Sequence, residues 1–100
     1  MRLKDKVAIV TGGGQGIGRA ISLQCAREGA KIAIAQRTQE KLDQTQADIE
    51  ELGGEVLAMA VDVGKPDQVK GLVDATTERF GGLDILVNNA GIGHSIPVDE

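Results

Sequence analysis

The run Val7-Ala8-Ile9-Val10-Thr11-Gly12-Gly13-Gly14-Gln15-Gly16-Ile17-Gly18 passes from a short apolar segment into a glycine cluster. Val7–Val10 is compact and mostly β-branched, which suits a strand buried on both faces of a parallel sheet. Gly12–Gly18 reads as a glycine-rich turn. From Ile17 to Glu28 the apolar residues Ile17, Ala20, Ile21 and Cys25 recur at helical spacing, and Gly29 is placed to stop the helix. A turn that follows a strand and opens a helix aims free backbone N–H groups and the positive helix end at an anion. Its glycines let a pyrophosphate approach the backbone.

The same alternation continues outward. Lys31–Ala35 reads as a second strand. Thr38 is placed to cap a helix running to Leu52, with Leu42, Ile49 and Leu52 on its inner face, and Gly53-Gly54 ends it. Glu55–Val61 is a third strand. Pro66 suits the first turn of a third helix, where its missing N–H costs nothing. Val69, Leu72, Val73, Thr76 and Phe80 carry that helix's apolar stripe, Gly81-Gly82 stops it, and Leu83–Asn88 is a fourth strand. Strand and helix alternate throughout, so the expected fold is α/β, a Rossmann-type parallel sheet in a three-layer α/β/α arrangement. Right-handed crossovers predict the strand order 3-2-1-4, with the first two helices on one face and the third on the other. The reversal beside strand 1 opens a crevice at the strands' C-terminal ends, where ligands bind in such sheets.

Composition narrows the partners. The chain is 41% hydrophobic and 26% charged, ordinary for a globular domain. Its longest apolar run, Val56–Val61, is far shorter than the ~20 residues of a membrane helix. The basic start Met1–Lys6 is followed by too few apolar residues for a secretory signal, and the single cysteine, Cys25, forms no intrachain disulfide, so a cytoplasmic location is expected. There is no Trp or Tyr and only one Phe, and the net charge is −4, which together speak against general nucleic-acid binding. The charge is uneven: residues 1–37 hold seven Lys/Arg against two Asp/Glu, residues 38–100 four against thirteen. This asymmetry reads either as solvated helix faces or as an anion-handling first part of the chain.

Two phosphate-loop patterns can be tested directly. Gly13 and Gly18 have Walker A spacing, but Arg19-Ala20 stands where Lys-Ser/Thr is required, and G-x-G-x-x-G fails because position 19 is arginine. What fits is T-G-x-x-x-G-x-G over Thr11–Gly18. With Gln36-Arg37 after strand 2, Asp62-Val63 after strand 3 and Asn88-Asn89-Ala90-Gly91 after strand 4, the chain resembles the N-terminal part of the short-chain dehydrogenase/reductase superfamily. The resemblance covers essentially all of residues 1–100, read as the first part of one dinucleotide-binding domain. Epimerase-type relatives usually space the glycines as G-x-x-G-x-x-G, unlike this chain.

The resemblance implies cofactor-binding roles for Gly12, Gly14, Gln15, Gly16, Ile17, Gly18, Gln36, Arg37, Asp62, Val63, Asn89, Ala90 and Gly91. Asp62 would accept a hydrogen bond from the adenine amino group, assisted by the Val63 backbone. Asn88 would tie the strand end to its neighbours, and Asn89, Ala90 and Gly91 would line the adenosine and ribose. Read from residue type alone, Asp62 is better taken as a helix-initiating acid before Pro66, and the Asn-Asn-Ala-Gly stretch as a turn. The implied activity is hydride transfer between a nicotinamide and a carbonyl/alcohol carbon of a small substrate, in a parent enzyme that is a homo-oligomer, dimer or tetramer.

The family's catalytic group is Ser-Tyr-Lys with an additional asparagine, and this chain contains no tyrosine. No catalytic residue is assigned here, and the chain alone is expected to be inactive. The alternative is a free-standing nucleotide-binding or regulatory module. An acid at the end of strand 2 would favour NAD and repel the 2′-phosphate of NADP. Gln36 is neutral and Arg37 can pair with phosphate, so NADP is favoured over NAD. Cys25 reads as core, Arg19 as a solvated surface residue, and His94 and Ser95 as part of a terminal loop with neither metal nor catalytic role. Strand 4 is expected to expose an unpaired edge, and the third helix's face to lack neighbours, so that the chain associates.

Overall fold

All five residues of the first strand, β1 (Val7–Thr11), are buried, because the strand lies at the centre of a sheet with helices on both sides. The computed structural model describes residues 3–12, 16–88 and 94–97. After β1 come α1 (Gly16–Arg27), β2 (Lys31–Gln36), α2 (Gln39–Glu51), β3 (Val56–Ala60), α3 (Pro66–Phe80), β4 (Ile85–Asn88) and β5 (His94–Pro97). The sheet order is β3-β2-β1-β4-β5. The four strands β1 to β4 are mutually parallel, in the order 3-2-1-4 expected from the crossover rule.

The pleat sorts the core into two layers. Ala8, Val10, Ile32, Ile34, Val56 and Val87 face α1 and α2, where they meet Ala26, Ala30, Leu42 and Ile49. Ile9, Ala33 and Ala35 face the other way, towards Leu72 of α3, with Val61 and Leu83. Only α3 covers this second face among the described residues, and Leu57, Met59, Val73 and Leu86 there are half-buried. Among the described residues, no helix is long and apolar enough to cross a membrane.

Local signals act largely where expected. Pro66 opens α3, and Gly81 closes it in a left-handed conformation (φ 87°), its N–H donating to the Thr77 carbonyl at 2.8 Å. Thr38 stands at the N-cap of α2, but its side chain makes no capping hydrogen bond. Gly54 is required by closeness: a Cβ there would lie 2.9 Å from Ile49 Cγ2, inside the packed α2 face.

Three sequence expectations need correction. The buried stripe of α1 is Gly18, Ser22 and Ala26, not the larger apolar residues. Ile17 is 70% exposed and Ala20 is exposed, while Ile21 and Cys25 only flank the core. The sheet-facing positions are small because α1 packs closely on the strands. Leu52 is 47% exposed, because it is the C-cap of α2 and no longer on its inner face. The β4 edge is not left open either. His94 and Ser95, read as loop, belong to β5, which pairs antiparallel with β4 from Ile85↔Pro97 to Asn88↔His94. An unpaired strand edge is a row of free donors and acceptors, and the returning chain satisfies it.

Candidate nucleotide-binding site

Strand register brings the critical residues to one edge of the sheet. Thr11 lies opposite both Ala35 of β2 and Asn88 of β4, and Gln36 lies opposite Ala60 of β3. Gly12, Arg37 and Val61-Asp62 therefore emerge side by side at the strands' C-terminal ends. Two backbone bonds extend the pairing just past the strands: Gly12 N–H to the Ala35 carbonyl at 2.6 Å, and Val61 N–H to the Gln36 carbonyl at 2.8 Å. Thr11 closes the β4 side, its buried hydroxyl donating to the Val87 carbonyl at 3.3 Å.

The turn after β1 leaves this edge with Gly12 at φ 70° and re-enters as a helix with Gly16 at φ 59°, conformations that side chains disfavour. A Cβ at Gly16 would meet nothing within 4 Å, so the glycine serves backbone conformation and an open approach rather than tight packing. The first N–H groups of α1 lack intrahelical acceptors and lie at the sheet edge, beside the positive end of the helix. Ile17, the most exposed large apolar residue among those described, sits at this mouth. Gly18 is buried, and Ser22 one turn later donates its hydroxyl to the Gly18 carbonyl at 2.8 Å.

The other walls follow from β2 and β3. Gln36 is half-buried and Arg37 exposed. Asp62 is half-buried; its Oδ1 accepts the Gly64 N–H at 2.9 Å, its own N–H donates to Gln68 Oε1 at 2.8 Å, and its carbonyl accepts the Lys65 N–H at 3.0 Å. The side chain thus folds the turn that leads into α3. Val63 follows, half-buried. Gly14, Gln15, Asn89, Ala90 and Gly91 lie outside the described residues. Asn88 is described in its backbone pairing alone.

Arg19 is a residue the sequence reading misplaced. Its guanidinium crosses from α1 to α2, where Nη1 donates to the fully buried Thr45 hydroxyl at 3.1 Å and Nη2 pairs with Asp48 Oδ2. The Arg19 hydrogen bond, helped by Gln44, holds the Asp48 carboxyl below the usual carboxylate range. The available signal was the pair of opposite charges on two helices that the topology makes neighbours.

A parallel sheet whose strand order reverses beside β1, with a glycine turn opening a helix at that reversal, defines a Rossmann-type fold with a crevice suited to an anionic nucleotide. The short chain dehydrogenase family model matches residues 6–100. The short-chain dehydrogenase/reductase homolog YusS of Bacillus subtilis (strain 168) is 41% identical over 101 residues, covering 100% of this chain and 93% of that relative. A short chain dehydrogenase from Burkholderia cenocepacia J2315, solved in complex with NADP, superposes with a TM-score of 0.87 at 47% identity, over 92% of this chain and 38% of that one. The NAD+-bound xylitol dehydrogenase structure gives a TM-score of 0.83 at 36% identity, over 86% of this chain and 33% of the other. The chain spans 33–36% of the length of further curated relatives. It belongs to the short-chain dehydrogenase/reductase family.

Proposed function

We propose that this chain is the dinucleotide-binding part of an NAD(P)-dependent oxidoreductase that moves a hydride between a nicotinamide and a carbonyl/alcohol carbon. The observation that carries the reading is the convergence, at one sheet edge, of the Gly12 and Gly16 turn, Gln36-Arg37 and Asp62-Val63. These residues fit an elongated dianion ending in adenosine. The open glycine turn and the first N–H groups of α1 take the pyrophosphate. Gln36 and Arg37 face the adenosine ribose, and Asp62 with the Val63 backbone takes the adenine. Gly14, Gln15, Ile17 and Gly18 complete the pyrophosphate side, and Asn89, Ala90 and Gly91 the adenosine and ribose side. The nicotinamide, when bound, supplies or accepts the hydride; the chain's own residues bind and orient.

Two relatives of known structure carry NADP and NAD+ respectively, which supports a nicotinamide dinucleotide without choosing between them. We favour NADP. Gln36 places no negative charge against a 2′-phosphate, and the exposed Arg37 offers a planar cation to it. The parent enzyme would be a cytoplasmic homo-oligomer, dimer or tetramer, acting on a small carbonyl or alcohol. The 100 residues hold no tyrosine and so lack the family's proton donor, and the chain alone turns nothing over. A second reading, a free-standing nucleotide-binding module, draws support from the relative whose length this chain nearly matches.

The test is binding of NADPH and NADH to the purified chain, followed by cofactor fluorescence at two salt concentrations. NADPH should bind more tightly, with an advantage that shrinks as salt screens the phosphate contact. Gln36→Asp should move the preference towards NADH. Binding of neither dinucleotide overturns the reading; tighter NADH binding makes Gln36 a ribose ligand and Arg37 an adenine stack. Carbonyl turnover by this chain would refute its inactivity. A Ser followed by Tyr-x-x-x-Lys in frame after Glu100 separates the enzyme from the module.

A further inference from the structure

We infer that Arg19 is a positioning residue for dinucleotide binding: by joining α1 to Thr45 and Asp48 of α2 it sets the phosphate-facing end of α1 against the wall that receives the adenosine. The inference rests on the functional reading above.

The first turn of α1 has few other side-chain anchors. Gly16 and Gly18 carry no side chain, Ile17 is 70% exposed, and nothing stands within 4 Å of a Cβ at Gly16. Among the described residues, Arg19 is the first of the helix with a side-chain hydrogen bond to a neighbouring element. It does so by two donors of one planar fork, to Thr45, which is fully buried, and to Asp48. Such a two-point contact fixes orientation as well as distance. Asp48 is itself steadied from its own helix, where Gln44 Nε2 donates to Oδ1 at 2.9 Å. The helix receiving the fork begins at Gln39, directly after Gln36, Arg37 and Thr38. The bridge therefore couples the two chain segments that would hold the two ends of an ADP moiety. It is also reachable by solvent: Arg19, Leu23, Arg27, Asp48, Glu51 and Leu52 line an open groove of about 220 Å³ between the two helices.

A competing account makes Arg19 a positive charge that attracts an anionic cofactor. The two accounts predict opposite signs for one variant. Asp48→Ala leaves the guanidinium in place and uncompensated, so charge attraction tightens NADPH binding, whereas loss of positioning weakens it.

The experiment measures NADPH dissociation constants, apo-protein melting temperatures and backbone amide exchange in the wild-type chain, Arg19→Ala, Arg19→Lys, Asp48→Ala and Thr45→Val. Arg19→Ala and Asp48→Ala should each weaken NADPH by about fivefold, and together by little more than either alone. Arg19→Lys, which keeps the charge but loses the fork, should weaken it too. Amides of Ala20–Leu23, which carry intrahelical acceptors in the first turns of α1, should exchange faster in the apo variants, relative to wild type, than those later in the helix. Unchanged affinity in Arg19→Ala with a lowered melting temperature makes the bridge purely structural and overturns the inference. Tighter binding by Asp48→Ala overturns it in favour of charge. Thr45→Val, which keeps both charges, should also weaken binding, and unchanged affinity there counts against the fork. A wild-type chain that binds neither NADPH nor NADH overturns the functional reading and this inference with it.

Discussion

Asp84 closes the bottom of the sheet by a two-way bond with the start of β1. Its carboxylate Oδ2 accepts the Val7 N–H at 2.9 Å, and its own N–H donates to the Val7 carbonyl at 2.9 Å. The partners lie 77 residues apart in sequence, and Val7 is only 3% exposed. Replacing Asp84 with alanine removes the acceptor and leaves the Val7 N–H buried without it, at a cost of about 2–3 kcal/mol. Asparagine keeps an oxygen at the same place but loses the charge, so the cost falls to about 1 kcal/mol. A domain of this size has roughly 5–15 kcal/mol in total, so the alanine variant loses a large share. With no Trp or Tyr in the chain, unfolding must be followed by far-ultraviolet circular dichroism. At a urea slope of ~1 kcal/mol/M the alanine variant's midpoint drops by about 2–3 M, and the asparagine variant's by about 1 M. An alanine variant within about 0.3 M of wild type would refute the reasoning, as would equal losses in both variants.

Gly54→Ala drives a methyl against the fully buried Ile49, whose Cγ2 is 2.9 Å from the new atom, and should cost about 1–3 kcal/mol, read as a melting temperature lower by roughly 5–15 °C. Asp48 has a lowered carboxyl pKa in the folded chain, so its stabilising contribution is complete above the ordinary carboxylate pKa and is lost as pH falls through the folded value. Carboxyl-carbon NMR should show Asp48 titrating below the ordinary carboxylate range, and Arg19→Ala should move it back towards that range. Burial, and then the charge of Glu28, push the Cys25 thiol up, so it stays protonated in mildly alkaline buffer. Its alkylation should be slower than that of a free thiol and should reach the free rate in urea.

The parallel strands and their order were legible because β-branched runs, glycine stops and crossover handedness all point one way. The meeting of Gly12, Gln36 and Asp62 at one sheet edge was legible for the same reason, since each stands at or just past the C-terminal end of a strand. What escaped the pattern has specific causes. Hydropathy ranks Ile17 above Ser22, yet a helix lying close on a sheet selects for small size, and Gly18, Ser22 and Ala26 supply it at i, i+4 and i+8. Their spacing is the signal a size-weighted reading would catch. Arg19 and Asp48 meet only through tertiary packing, and no local window contains both. β5 depends on an open edge, which exists only once β4 is in place.

The position of β1 has a consequence for how the chain emerges during synthesis. β1 precedes the other described strands, but of its two neighbours β4 is made only after β2, α2, β3 and α3. Between the end of β2 and the end of β4 the ribosome adds about fifty residues, which takes about 3–10 s at ~5–20 residues per second. Throughout that interval one side of β1 is an unmet row of amides and carbonyls flanked by Ala8, Ile9 and Val10, a template for pairing with any extended neighbour. The nascent chain is thus most exposed to mispairing at the strand that ends up deepest in the sheet. Chaperone engagement should accordingly peak after β2 has emerged and end when β4 docks.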